Sequence, residues 1–262
     1  MANEQRLPIA VCMIAGNEAA RIRRALESVA GWTSEIIVVL NADVNDGTDQ
    51  IAAEFGAKVF REPWKGHIAQ KNSAAQKAGS EWLLGLDADE VVSAELRTEL
   101  EQLFAVPEKL KPFAAFCFPR CSWYCGRWIR HGDWYPDRQT RLWRHGAAKW
   151  GGIDPHDKLL VQGSVARLKG ELRHYTMESL EQQMKKTVAY ANDFARHCAE
   201  QKKTVSFLDL WLRPAWRFGR AYLLRLGLLD GWQGFAIARM AAVYTFLRYL
   251  KAYQRQQETK PD

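Results

Sequence analysis

No stretch of this 262-residue chain reaches the roughly 18 consecutive apolar residues of a membrane span, so a spanning helix is not expected. The first apolar run, Ile9–Ala15, is short and has neither a basic leader nor a cleavage site, so it reads as a strand rather than a signal peptide. A cytoplasmic protein is the expectation. Cysteine is scarce and odd in number (Cys12, Cys117, Cys121, Cys125 and Cys198), which in a chain without an export signal points to reduced thiols. The C-x3-C-x3-C run at 117–125 lacks a C-x2-C pair, and Pro119 prevents one helix face from carrying all three, so zinc and iron–sulfur sites are not expected. Both common phosphate loops are missing: there is no G-x-x-x-x-G-K-[ST], and no G-x-G-x-x-G after a strand. Repeats are absent, and low complexity is confined to the polar tail at 254–262.

The chain does carry 47% hydrophobic and 26% charged residues, ordinary for a folded domain with a sizeable core. Its first hundred residues alternate strand and helix signals. Strands are expected at 8–14, 35–40, 57–60 and 82–86, and helices over 17–29, from 46–48 to Phe55, and over 68–78. Such alternation predicts an α/β fold with a parallel sheet covered on both faces. From about residue 112 the pattern changes to short strands at 113–119, 140–144, 158–161 and 165–168, with Gly163-Ser164 as a hairpin turn. A long polar helix over 178–201 and a helical stretch over 207–253, interrupted at Pro214 and at 227–234, complete the chain. Three regions follow: an α/β half (1–110), a mixed β region (111–175) and a helical C-terminal segment (176–262).

The most informative segment runs from Trp82 to Glu90, where an apolar strand meets the cluster Asp87-Ala88-Asp89-Glu90. Side chains alternate along an extended chain, so Asp87 and Asp89 are expected on one side, able to share a divalent cation such as Mg²⁺ or Mn²⁺. The plain alternative is an acidic turn in which Asp87 caps the following helix. Two other strand ends contribute polar groups at the same edge: Gly16-Asn17-Glu18 after the first, and Asn41-Ala42-Asp43, then Asp46-Gly47-Thr48, after the second. Ligands of open α/β sheets sit beyond such strand ends. Asn and Asp also fill helix caps, but capping does not require three converging clusters.

Further along, Asp154, His156 and Asp157 share the loop 152–158, where a carboxylate or imidazole could take a proton from an attacking hydroxyl. A solvated Asp and a packed His is the competing reading. Charge is unevenly placed: residues 205–262 carry a net +5 of the total +7. There Trp211, Trp216, Tyr222, Trp232 and Phe235 interleave with Arg213, Arg217, Arg220, Arg225 and Arg239. Interfacial amphipathic helices facing anionic lipid have this composition. A helical hairpin with snorkelling arginines would have it too. No nucleic-acid motif accompanies the basic segment, so a nucleic-acid partner is not expected.

Taken in order, several motifs resemble the family 2 glycosyltransferases, and more narrowly the bacterial lipopolysaccharide-core β-glucosyltransferases. They are Gly16-Asn17-Glu18, E-I-I-V-V with D-G-T at 46–48, Gln70-Lys71-Asn72, L-D-A-D-E-V-V, Trp134-Tyr135-Pro136-Asp137 with Arg141-Leu142, His156-Asp157-Lys158 and Leu229 to Phe235. The resemblance covers nearly the whole chain. It implies a GT-A fold, a nucleoside diphosphate sugar donor (UDP-hexose first), a Mg²⁺ or Mn²⁺ ion and inversion by a single displacement. It further implies that Asp89 ligates the metal, that Asp87 contacts the donor ribose or metal waters, and that Glu18 and Lys71 lie near the nucleotide. Asp157 stands where the family has a Glu and is the expected base, with His156 second. An acid usual after the second strand is replaced by Leu40-Asn41, so the base contact is expected to pass to Asp43 or Asn41, with Asn17 a further donor-binding candidate. On the acceptor and membrane side the candidates are Arg120, Trp134, Arg213, Arg217, Arg220 and Trp232. A glycolipid such as the lipopolysaccharide inner core is the implied acceptor, met at the inner face of the cytoplasmic membrane. Q-x-x-R-W is absent, which favours one sugar per encounter.

Two rival readings use the same residues. A haloacid-dehalogenase-type phosphatase also opens with D-x-D, and Gly132-Asp133-x3-Asp137 imitates its later element, but the spacing is too short and the D-x-D follows a fourth strand. A non-catalytic membrane scaffold on a degenerate glycosyltransferase fold draws on the missing acid at 40–41.

Overall fold

The computed structural model describes residues 6–154, 156–177, 180–201 and 203–258, with the side chains of His156, Met177, Leu180, Gln182 and Lys186 left out. The chain divides into two compact units, Met1–Arg120 with Asp137–His174, and Cys121–Pro136 with Tyr175–Asp262. The expected 111–175 region is thus shared between the two.

In the larger unit the βα alternation is present: β1 (Leu7–Ala15), α1 (Ile22–Val29), β2 (Thr33–Asn41), α2 (Thr48–Glu54), β3 (Lys58–Glu62), α3 (His67–Gln76) and β4 (Trp82–Gly85). Short β5 (Glu90–Val92), α4 (Ala94–Phe104) and α5 (Pro107–Leu110) follow. After them come β6 (Ala115–Tyr124), β7 (Arg127–Ile129), β8 (Asp137–Arg144), β9 (Ala148–Ile153), β10 (His156–Val161), β11 (Val165–Arg167) and β12 (Leu172–Met177). The main sheet runs β3-β2-β1-β4-β8-β6-β12-β5. Its first four strands are parallel, and β8 then enters antiparallel between β4 and β6. Both faces are buried, as a parallel sheet requires. Ile9, Val11 and Met13 alternate into one apolar cluster with α1 and α4, while Ala10 and Cys12 point into a second with Ala74, Trp143 and Trp150.

Two local expectations change. Gly163-Ser164 does not join two antiparallel strands, because β10 pairs with β9 and β11 instead lies parallel to β6. The chain at Asp87–Asp89 is not extended either. Glu90 N–H donates to the Asp87 carbonyl at 2.9 Å, and Asp87 N–H donates to Glu90 Oε2 at 3.1 Å, closing a turn. The two aspartates therefore do not owe their directions to strand alternation. Capping α4 falls to Ser93, whose Oγ accepts from Leu96 N–H at 3.1 Å.

The smaller unit joins β7 and the distal end of β6 to helices α6 (Leu180–Glu200), α7 (Asp209–Gly219) and α8 (Gly231–Glu258). Pro214 sits inside α7 without ending it, since its fixed φ suits a helix and only one hydrogen bond is lost. The break comes later, through a π-helical turn at Arg220–Leu224 and a short 3-10 turn at Gly227–Asp230. Glycine is needed here for close approach: a Cβ on Gly234 would lie 1.8 Å from the Gly227 carbonyl oxygen. Asp230, buried, accepts from the backbone N–H groups of Arg130 and His131 at 3.1 and 2.8 Å. The L-D-G-W-Q-G-F motif is therefore a clasp on the loop after β7. No helix among the described residues is long and apolar enough to cross a membrane.

Candidate active site

The larger unit collects most of the sequence-predicted donor and catalytic residues at the carboxyl ends of β1, β2 and β4. Asp46 knits the first two ends together: its carboxylate accepts from Thr48 N–H, Thr48 Oγ1 and Ala19 N–H at 2.6–3.1 Å. Thr48 Oγ1 in turn accepts from Glu18 N–H at 3.0 Å. Glu18 pairs with Arg21 at 2.9 Å. Burial raises the Glu18 carboxyl above its ordinary range; Arg21 opposes this, and the charges of Asp89 and Asp46 add to it. Asn17 and Asp43 are exposed and Asn41 is half-buried.

Lys71 is the bridge of the site. Only 10% of its side chain is exposed, and its Nζ lies 3.0 Å from Asp87 and 3.0 Å from Asp157, residues 70 positions apart in sequence. α3 can hold Lys71 there because its neighbour Asn72 exchanges two hydrogen bonds with the backbone of Trp150, at 2.9 and 3.0 Å. Two cations approach the Trp150 ring, Lys71 Nζ at 4.7 Å and the Arg141 guanidinium at 5.3 Å from its centroid. Gly85 makes room for this ring, since a Cβ there would approach it to 2.9 Å. The other acid of the loop, Asp154, serves the helix instead, accepting from Ile68 N–H at 3.1 Å next to the start of α3. The His156 side chain lies outside the described residues.

Arg141, buried on β8, binds Asp87 at 2.7 Å and Glu90 at 3.0 Å. Burial alone would raise the Asp87 carboxyl, but Arg141 and Lys71 hold it well below the carboxylate range. The fully buried Glu90 also takes Arg120 at 3.1 Å, and Arg120 binds Asp137 at 2.7 Å. Arg120, expected on the acceptor side, is thus engaged with two carboxylates.

Asp89 faces elsewhere. His174 Nε2 lies 3.4 Å from Asp89 Oδ2, because β12 pairs antiparallel with β5 and sets His174 opposite Glu90. Burial pushes the Asp89 carboxyl up, yet the His174 contact outweighs it and leaves the net shift downward. Adjacent ligands of an octahedral ion with ~2.1 Å bonds stand about 3.0 Å apart, near the 3.4 Å that separates this oxygen and nitrogen. Among the described residues no group of three His, Cys, Asp or Glu converges for a metal. A two-ligand set is what an ion completed by substrate phosphates and water needs. Sequence reasoning does not find His174, because a lone His on a short strand carries no motif. Arg141 and Glu90 stand in the sequence only as motif letters.

The remaining candidates lie in the smaller unit. Trp134 packs edge-on against Tyr124, ring centroids 5.3 Å apart, in a small apolar cluster. Arg213 binds Asp209 at 2.5 Å, Arg217 and Arg220 gather on Asp133, and Trp232 is exposed. Asp133, which imitates a phosphatase motif in the sequence, is thereby engaged with arginines.

Comparison with known proteins gives the family and the fold. Residues 10–168 match the family model for Glycosyl transferase family 2. An uncharacterised glycosyltransferase of Rickettsia prowazekii is 31% identical over 258 residues, covering 93% of this chain and 86% of that protein. The lipopolysaccharide core biosynthesis glycosyltransferase LpsC of Rhizobium meliloti is 28% identical over 258 residues, covering 95% and 93%. In fold, the chain is similar to a mannosyltransferase from Pyrobaculum calidifontis solved with GDP-Man and Mn²⁺, with TM-score 0.54, 14% identity and coverage of 98% and 89%. The fold is of the GT-A type, and the chain belongs to the family 2 glycosyltransferases.

Proposed function

We propose that this glycosyltransferase moves a single sugar, with inversion, from a nucleoside diphosphate sugar, UDP-hexose first among them, to a glycolipid of the lipopolysaccharide-core type. The observation that carries the reading is the Lys71 bridge, which ties the donor-side carboxylate Asp87 to the candidate base Asp157. The acceptor class draws on the likeness to a lipopolysaccharide core enzyme. In this mechanism Asp89 and His174 would hold a Mg²⁺ or Mn²⁺ ion. When bound, it neutralises charge developing on the diphosphate leaving group. Arg141 and Lys71 keep Asp87 ionised and oriented toward the donor ribose. Glu18, Asn17, Asn41 and Asp43 border the nucleotide. Asp157 takes the proton of the acceptor hydroxyl as that oxygen bonds the anomeric carbon and the carbon–phosphate oxygen bond breaks on the opposite face. The diphosphate leaves with the electron pair.

The working place in this reading is the inner face of the cytoplasmic membrane. Phe207, Leu208, Trp211, Leu212, Trp216, Leu223, Leu224, Leu226, Leu228, Leu229, Trp232 and Phe235 are all exposed, within one stretch that also carries the arginines. So dense a run of exposed apolar side chains is better matched to lipid than to water.

Incubation with Mn²⁺, a panel of sugar nucleotides and a core glycolipid tests the reading. UDP release and sugar transfer are expected from wild type. Asp157→Asn should lower turnover ~10²–10⁴-fold with donor binding retained, and Asp89→Ala should abolish the Mn²⁺ dependence. Wild-type turnover by Asp157→Asn would remove Asp157 as the base.

A further inference from the structure

One buried carboxylate in the smaller unit faces three cations. Asp133 lies in the 3-10 turn Gly132–Trp134, and its side chain is 5% exposed. Arg217 Nε stands 3.1 Å from it, Arg220 NH2 2.9 Å and Arg225 NH1 3.3 Å. A single guanidinium would neutralise the acid and fasten the turn to the helical segment. The second and third leave a local charge of about +2 and repel one another. Arg217 is held below the usual guanidinium range, first by burial and, against the pull of Asp133, by Arg220, Arg248 and Arg225.

Donor supply exceeds demand as well. Three guanidinium groups offer about fifteen N–H bonds, and a carboxylate accepts about four. Arg220 Nε, the nearby Arg248 Nε and Oδ2 of Asp133 itself are buried without a hydrogen-bond partner in the structure. Arg248 has aromatic neighbours instead, 4.7 Å from the Phe194 ring and 5.0 Å from that of Tyr249. The cations remain reachable, with 39%, 32% and 51% of the Arg217, Arg220 and Arg225 side chains exposed. The same segment exposes Trp216, Leu223, Leu224 and Leu226. Surplus planar donors amid apolar side chains suit an anion with three or more oxygens on an amphiphile, the chemistry of a phosphate ester.

We propose that Arg217, Arg220 and Arg225, gathered on Asp133, form a binding site for a phosphate group of a membrane lipid or of the glycolipid acceptor. The site deepens the membrane reading above and rests on it for the identity of its ligand. Asp133 serves as the internal template, spacing the three guanidinium groups while leaving their outer N–H bonds free for the ligand.

The full chain is tested by flotation with phosphatidylcholine vesicles, with and without phosphatidylglycerol, and by thermal shift with glycerol 3-phosphate. Arg217→Gln/Arg225→Gln leaves Arg220 on Asp133, and circular dichroism checks its fold. At about fivefold per charge near a membrane surface, this variant should lose roughly 25-fold in affinity for the anionic vesicles. Asp133→Asn should gain about fivefold, since it removes the competing anion. Arg239→Gln/Lys251→Gln, the same charge loss placed on α8, should lose much less. Stabilisation of wild type but not of the double variant by glycerol 3-phosphate assigns the site to a phosphate on the acceptor. Vesicle dependence without that response assigns it to the lipid headgroup. Equal losses in the two double variants, or none in either, would overturn the proposal and leave the cluster as an internal fastening. Donor turnover reports on the transferase site of the other unit, so either reading can fail while the other stands.

Discussion

In the larger unit, the carboxylates of Glu18, Asp87, Asp89, Glu90, Asp137 and Asp157 outnumber the basic groups set against them, Arg21, Lys71, Arg120, Arg141 and His174. In the smaller unit the balance is reversed, with three arginines on one buried carboxylate. On the readings proposed above, each imbalance is matched by a ligand of the missing sign. A divalent cation with its nucleotide diphosphate suits the first, and a phosphate ester suits the second. Apolar exposure divides in the same way, for the acid-rich network lies among buried strands whereas the arginine cluster lies within a run of exposed Trp and Leu. The proposed transfer from a water-borne donor to a lipid-borne acceptor would use both kinds of surface.

The comparison breaks most severely at Arg141. Arg141→Met removes the guanidinium shared by Asp87 and Glu90 and leaves buried carboxylates uncompensated, an expected loss of roughly 3–5 kcal/mol in urea unfolding. An unchanged midpoint would mean that the network is not the larger unit's internal brace. Exposed residues of the smaller unit should behave oppositely. Trp211→Ser/Trp216→Ser is expected to stay within about 0.5 kcal/mol of wild type per substitution, since both rings are exposed. Its vesicle association should still fall at least about tenfold, from the apolar area no longer buried. A large drop in stability with intact flotation would place these rings in packing rather than at a lipid surface.

The smallest effect is a pH dependence at Glu62, on β3. Lys65 and Lys77, with Ser73, hold its carboxyl down to about 2 against a modest burial cost. A carboxyl lowered on folding stabilises the protein above its unfolded value near 4.5 and loses that contribution as pH falls toward 2. Glu62→Gln should therefore flatten the fall of melting temperature between about pH 4.5 and pH 2. With solvent screening the effect is of the order of 1 kcal/mol or less. Parallel melting curves for the two proteins across that window would show that Glu62 carries no linkage.

Residues whose meaning is local are legible from the chain. β1 to β4 announce themselves by apolar runs, and the D-A-D-E cluster by its place after the last of them. Lys71 and Asp157 are each visible as motif members, but their meeting is not. Pattern gives no distance between a helix before β4 and a hairpin strand whose Asp157 lies 86 positions beyond Lys71. The same limit hides His174 beside Asp89 and Arg141 beside Asp87. Both depend on strands that return antiparallel, and such pairing is set by register across the sheet rather than by neighbours in sequence. The hairpin at Gly163-Ser164 fails for this reason too, since β11 finds a parallel partner in β6.

By itself, then, the sequence determined the class of fold, the family, the D-x-D at a strand end, and the basic aromatic character of the last quarter. Period, composition and motif order act over a few residues and survive without coordinates. Tertiary structure alone decided that the two aspartates diverge, one to Arg141 and Lys71 and the other to His174, and that Asp133 gathers three arginines. Those outcomes follow from which long-range strands and helices pack together. The cost of burying a charge then selects the partners that each carboxylate keeps.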